Sequence, residues 1–100
     1  MTPNPFNLQN KTVVVTGGGS GIGAAIVELF AAVGATVHVG DIDLEGARTT
    51  HANSEFWQSI VLHHCDIADR SSVDAMVATV EAQSHIDILV NNAGVGKVGT

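Results

Sequence analysis

Cysteine occurs once, at Cys65. That excludes an intramolecular disulfide and a cysteine-based metal cluster, and it agrees with a reducing compartment. Basic residues are scarce too: four lysines and arginines stand against ten aspartates and glutamates, a formal charge of −6. With no basic face to meet a phosphate backbone, the composition argues against nucleic acid as a partner. No apolar run approaches the ~18 residues that cross a bilayer. The opening "MTPNPFNLQNK" has neither the charged n-region nor the long apolar core of a signal peptide. Together these absences predict a cytoplasmic protein that uses no membrane. Both prolines fall within the first five residues, so residues 1–10 read as a lead-in segment that Phe6 and Leu8 anchor. Tyrosine is missing altogether. What remains is ordinary for a globular chain, 45% hydrophobic and 14% charged over 100 residues, which is one domain at most.

Glycine is the exception to this scarcity. The stretch "VVVTGGGSGIGAAI" puts five glycines into residues 17–23, one residue after three consecutive valines. Residues 12–15 form a β-branched run without polar alternation, as in a strand covered on both faces. From Ile22 the apolar positions Ile22, Ile26, Leu29, Phe30 and Val33 follow a helical period that Gly34 stops. Residues 35–39 read as a second strand ended by Gly40 and Asp41, and Asp43 caps a helix to about Thr50. A third strand lies within residues 56–64, centred on 59–62. Asp69 or Ser71 caps the next helix, whose apolar face is Val73, Met76, Val77 and Val80. Residues 86–91 form a fourth strand, and "NAGVGKVGT" is loop. Strand–helix alternation at this spacing predicts right-handed βαβ units in an α/β fold, a parallel sheet with helices on both faces. The expected strand order is 3-2-1-4, the first half of a Rossmann-type doubly wound sheet.

The glycines fall where the first strand hands over to the first helix, the end at which open parallel sheets bind ligands. A helix N-terminus presents free N–H groups and partial positive charge, which suit a phosphate. Gly17 permits the turn, Gly21 lets a pyrophosphate approach the backbone, and Gly23 lets the helix pack closely. A P-loop requires Gly-Lys-Ser/Thr, and Gly23 is followed by Ala24 and Ala25. A tight turn without a ligand would use the same glycines; Asp41 favours a ligand. It ends the second strand 24 positions after Gly17, where a carboxylate accepts from an adenosine ribose. Its other reading is a cap for the next helix, a role Asp43 fills equally well. The nearest cation in sequence is Arg48, so a 2′-phosphate would meet Asp41 without compensation. NAD is expected over NADP.

The spacing Thr16-Gly17-x-x-x-Gly21-Ile22-Gly23, "CDI" at residues 65–67 and "DILVNNAG" at 87–94 together resemble the short-chain dehydrogenase/reductase family over about residues 8–100. That resemblance implies hydride transfer between a nicotinamide and an alcohol or ketone, in an oligomeric parent protein. It implies that Gly17, Ser20, Gly21, Ile22 and Gly23 form the cofactor-binding turn, in which Ile22 and its neighbours give backbone donors to the pyrophosphate. Asp66 would accept from the adenine amino group, with Ile67 beside it. Asn92, Ala93 and Gly94 would pass under the riboses, while Thr16 and Asn91 join the first and fourth strands. Asp66 could instead cap a turn.

The family's reaction uses a tyrosine and a lysine four residues after it, with a serine and an asparagine assisting. This chain has no tyrosine, and its lysines are Lys11 and Lys97, neither placed to replace that pair. The expectation is the amino-terminal portion of a longer NAD-dependent oxidoreductase, inactive by itself. One alternative is a small nucleotide- or partner-binding protein without catalysis; another is a methyltransferase, which gives no reason for "NNAG". Lacking later strands, the first and fourth strands are expected to expose a contiguous apolar patch. His63 and His64 have no further ligands at metal spacing, so no metal site is expected. His38, His51 and His85 are expected at the surface or its boundary, and Phe56 and Trp57 over the outer part of the sheet.

Overall fold

A computed structural model describes residues 7–19 and 21–92. Among these residues four strands, β1 (Thr12–Thr16), β2 (Thr36–Asp41), β3 (Ile60–His64) and β4 (Ile88–Asn91), alternate with three α-helices, α1 (Gly21–Ala32), α2 (Leu44–His51) and α3 (Arg70–Glu81). All pairings are parallel and the order is β3-β2-β1-β4. This is the order expected from the sequence, the Rossmann-like arrangement. Val14 of β1 faces His38 of β2 on one side and Leu89 of β4 on the other.

Strand β1 is central, and all five of its residues are buried. Because side chains alternate, Val13 and Val15 join Val27 and Ala31 of α1 and Val37 and Val39 of β2 in one core layer. Val14 points the other way, into a smaller layer with Cys65, Met76 and Val80 under α3. Helices therefore cover both faces. The covering by α3 corrects the expected patch across the first and fourth strands: β1 is buried on both faces, and large apolar exposure on β4 is confined to Leu89, at 56%.

Helix α1 departs from its sequence reading. Its buried residues are Gly23, Val27 and Ala31, whereas Ile22 and Leu29 stand 71% and 66% exposed. Small side chains at i, i+4 and i+8 bring the helix axis close to the sheet, and Ile26 and Phe30 pack along its flank. The large residues at Ile22 and Leu29 would have held it away.

Asp43 caps α2 by accepting from Gly46 N–H, and Asp69 caps α3 by accepting from Ser71 N–H. Hydrogen bonds from the Ser71 hydroxyl and then its backbone N–H hold the Asp69 carboxyl below the usual carboxylate range. Two strands begin later than their apolar runs. Residues 57–59 form a 3₁₀ turn that delays β3 to Ile60. At the other end, Thr12 N–H donates to the Asp87 carboxylate at 2.8 Å and Asp87 N–H to Thr12 O at 2.9 Å, so residues 86–87 link to β1 before β4 starts. Phe56 packs on the core, whereas Trp57 is exposed. In the lead-in, Leu8 packs against the same core and its N–H donates to Val33 O at 2.7 Å. Phe6 lies outside the described residues.

Candidate functional site

The carboxyl ends of β1, β2 and β4 converge on the glycine turn. Gly17 and Gly21 take φ of 75° and 58°, the left-handed region that glycine enters without strain. Gly17 N–H donates to Gly40 O at 2.7 Å, which binds the start of the turn to β2. A Cβ on Gly23 would lie 2.1 Å from Gly17 O and 2.7 Å from Asn92 Nδ2. This glycine is thus required by close approach, and the neighbour it admits is the turn itself. Around Gly21 there is open space. The first-turn N–H groups of α1, at Gly21, Ile22 and Gly23, have no partner within their own helix.

Asp41 ends β2 with both carboxylate oxygens engaged. Oδ2 accepts from Gly19 N–H and Oδ1 from Asp43 N–H, each at 2.9 Å. Capping of α2 falls to Asp43, so Asp41 instead ties the glycine turn to the β2–α2 corner. A carboxylate offers about four acceptor sites, and two remain. A shallow depression lined by Gly19, Asp41, Asp43, Gly46, Ala47 and Thr50 opens beside it. Arg48 is paired with Glu45 on the exposed face of α2. A second depression, lined by Arg48, His51, Ala52, Trp57, Ile60 and Leu62, lies between the end of α2 and the start of β3.

Asp66 follows β3, next to Cys65, whose N–H donates to Asp41 O at 3.0 Å. Its Oδ1 accepts from Ala68 N–H at 3.0 Å, which caps the turn; among the described residues Oδ2 takes no hydrogen bond. Ile67 packs on the α3 layer. At the end of β4, Thr16 Oγ1 donates to Asn91 Oδ1 at 2.9 Å, and Asn92 Nδ2 donates to Gly17 O at 3.1 Å. Gly17, Gly21, Ile22, Gly23, Asp41 and Asn92 therefore gather at one sheet end, with Asp66 adjoining. Ser20, Ala93 and Gly94 lie outside the described residues.

Two histidines expected near the surface are interior. His51 is 3% exposed and His38 4%. Each has polar partners that allow its burial, and no single-residue property signals them. His51 contacts Glu28 and Gly18. His38 Nδ1 lies 2.9 Å from His63 Nε2, on the sheet face that α3 covers. No group of three or more metal-ligating side chains occurs among the described residues.

Burial pushes the His38 and His63 imidazoles below their ordinary value, and for His38 the neighbouring His63 adds to the effect. The unfolded chain protonates them at about pH 6.5, the folded chain only lower. Between those values the unfolded state binds more protons, so stability is full above about pH 6.5 and shrinks as the pH falls through the lowered values. Thermal melts from about pH 7.5 to pH 5 should show this decline. Replacing His63 by Gln should flatten it, and an unchanged slope would exclude the pair as its source.

Several known proteins are similar to this chain in sequence or in fold. The family model for short chain dehydrogenases matches residues 11–100. An uncharacterized oxidoreductase of Thermotoga maritima is 45% identical over 93 residues, covering 91% of this chain and 36% of that protein. A 2,5-dichloro-2,5-cyclohexadiene-1,4-diol dehydrogenase of Sphingobium indicum is 44% identical over 94 residues, covering 93% and 37%. The crystal structure of a 3-ketoacyl-(acyl-carrier-protein) reductase from Brucella melitensis, complexed with NADH, superposes with a TM-score of 0.72 at 32% identity, over 83% of this chain and 34% of that one. The chain spans about a third of the length of the curated relatives it matches. No helix among the described residues is long and apolar enough to cross a membrane. With a match that runs from the foot of β1 to Thr100, the chain belongs to the short-chain dehydrogenase family.

Proposed function

We propose that this chain is the amino-terminal, cofactor-binding part of a longer oxidoreductase, in which hydride passes between NAD and an alcohol or ketone. The observation that carries the reading is Asp41, held at the end of β2 by two backbone N–H groups with acceptor capacity to spare. A ribose diol donates to such a carboxylate, whereas a 2′-phosphate repels it. The residues fit a dinucleotide. The open space at Gly21 and the free N–H groups of α1 suit its pyrophosphate, and the depression beside Asp41 suits its ribose. Asp66 and Ile67 would border the adenine, with Ser20, Asn92, Ala93 and Gly94 completing the cradle. When bound, the nicotinamide supplies the hydride chemistry, and this chain's residues hold and orient it.

The test is selectivity in the full-length polypeptide. It should bind NADH more tightly than NADPH, and Asp41→Ala should narrow that preference roughly tenfold or more, since one charge-assisted hydrogen bond contributes ~1.5–3 kcal/mol. Equal or tighter binding of NADPH by the unmutated protein would overturn the reading.

A further inference from the structure

The glycine turn is gripped from behind as well as from the side that faces the depression. His51, the last residue of α2, places Nε2 3.0 Å from Gly18 O and Nδ1 2.6 Å from Glu28 Oε2. A carbonyl oxygen only accepts, so Nε2 carries the hydrogen in the first of these bonds. Glu28 is oriented in turn: its Oε1 accepts from Ser54 Oγ at 2.6 Å, and Ser54 Oγ accepts from Phe56 N–H at 3.0 Å. The imidazole is thus buried with both nitrogens partnered and with its ring plane set by a residue of α1.

The Gly18 carbonyl shares one peptide plane with Gly19 N–H, and that N–H donates to Asp41 Oδ2 at 2.9 Å. A peptide unit is rigid about its C–N bond, so rotating the carbonyl rotates the N–H with it. A peptide between two glycines meets the least steric resistance to flipping. Its orientation is therefore set by the groups bonded at its two ends, His51 on one and Asp41 on the other.

We propose that His51, held by Glu28, is a positioning residue for cofactor selectivity, fixing the Gly18–Gly19 peptide and through it the Asp41 carboxylate. The inference rests on the reading of Asp41 as the ribose acceptor. It predicts a defect of a particular kind. Losing His51 should alter the discrimination between two cofactors that differ only at the ribose, where a general loosening of the fold would weaken both alike.

The experiment measures dissociation constants of NADH and NADPH by nicotinamide fluorescence, in the full-length polypeptide and its variants. His51→Leu should narrow the NADH preference roughly three- to tenfold, the equivalent of one hydrogen bond. His51→Gln, which restores an N–H donor, should recover most of it. Glu28→Ala should narrow the preference in the same direction, and it supplies the answer if melting shows that His51→Leu does not fold. An unchanged ratio in these variants, with Asp41→Ala narrowing it, overturns the positioning role and leaves the Asp41 reading standing. An unchanged ratio in Asp41→Ala overturns that reading, and the positioning role with it.

Discussion

Purified alone, residues 1–100 should turn over no alcohol or ketone with NAD or NADH above the uncatalysed background. Hydride transfer at a carbonyl needs a proton delivered to, or taken from, the oxygen in the same event. The family resemblance assigns that task to a tyrosine with a lysine beside it. This sequence contains no tyrosine. Lys11 stands at the foot of β1, the end of the sheet opposite the glycine turn. Positioned acid–base groups commonly contribute ~10²–10⁴-fold each, so their joint absence leaves nothing measurable. Absorbance of NADH against a broad substrate panel checks this, with the full-length polypeptide as the positive control. Turnover that copurifies with the 100-residue chain and vanishes in Gly21→Trp would overturn it.

The second large effect concerns Gly23. In Gly23→Ala the new methyl would lie 2.1 Å from Gly17 O and 3.0 Å from Gly17 C, both backbone atoms. Neither yields cheaply. Gly17 N–H is bonded to Gly40 O at 2.7 Å, and Gly17 O accepts from Asn92 Nδ2 at 3.1 Å. Helix α1 must therefore lift from the sheet, taking Val27 and Ala31 out of their contacts with β1 and β2. Overpacking of this kind costs ~1–3 kcal/mol or more, and the free N–H groups of α1 move with the helix. The expected result is a lowered melting temperature together with the loss of most NADH affinity. For stability alone, Gly21→Ala is the internal comparison: its Cβ meets nothing within 4 Å, though φ is 58°, so only ~1 kcal/mol of backbone strain is expected. Equal falls in melting temperature in the two variants would show that the contact with Gly17 O does not limit the helix.

The sheet was legible because its signals are local. Three valines in β1, a carboxylate ahead of α2 and another ahead of α3 each announce an element within a few residues, and alternation of elements then leaves few topologies. Most of the candidate site was legible for the same reason: Gly17 and Asp41 sit at strand ends, and Gly21 and Gly23 at a helix start, that the pattern locates. What escaped depends on contacts distant in the chain. Periodicity alone favoured Ile22 and Leu29 over Gly23, Val27 and Ala31, since it records hydrophobicity and is blind to how close a helix must come. Burial of His51 depends on Glu28, a different helix's residue, and burial of His38 on His63 from the next strand. Strands β3 and β4 start late because a turn and the Asp87 bonds to Thr12 occupy the residues before them. No single-segment rule contains those partners.

The central place of β1 carries a consequence for synthesis. Its partner on one side, β2, follows almost at once, but its other edge waits for β4, so that the bond from Thr16 to Asn91 spans 75 residues. At ~5–20 residues per second, a ribosome takes ~4–15 s to deliver that strand after β1. Throughout that interval β1, all five of whose residues are buried in the finished fold, has one open ladder of N–H and C=O groups, an edge that invites pairing with another chain. A nascent chain that stalls between β3 and β4 is accordingly the species most in need of a chaperone.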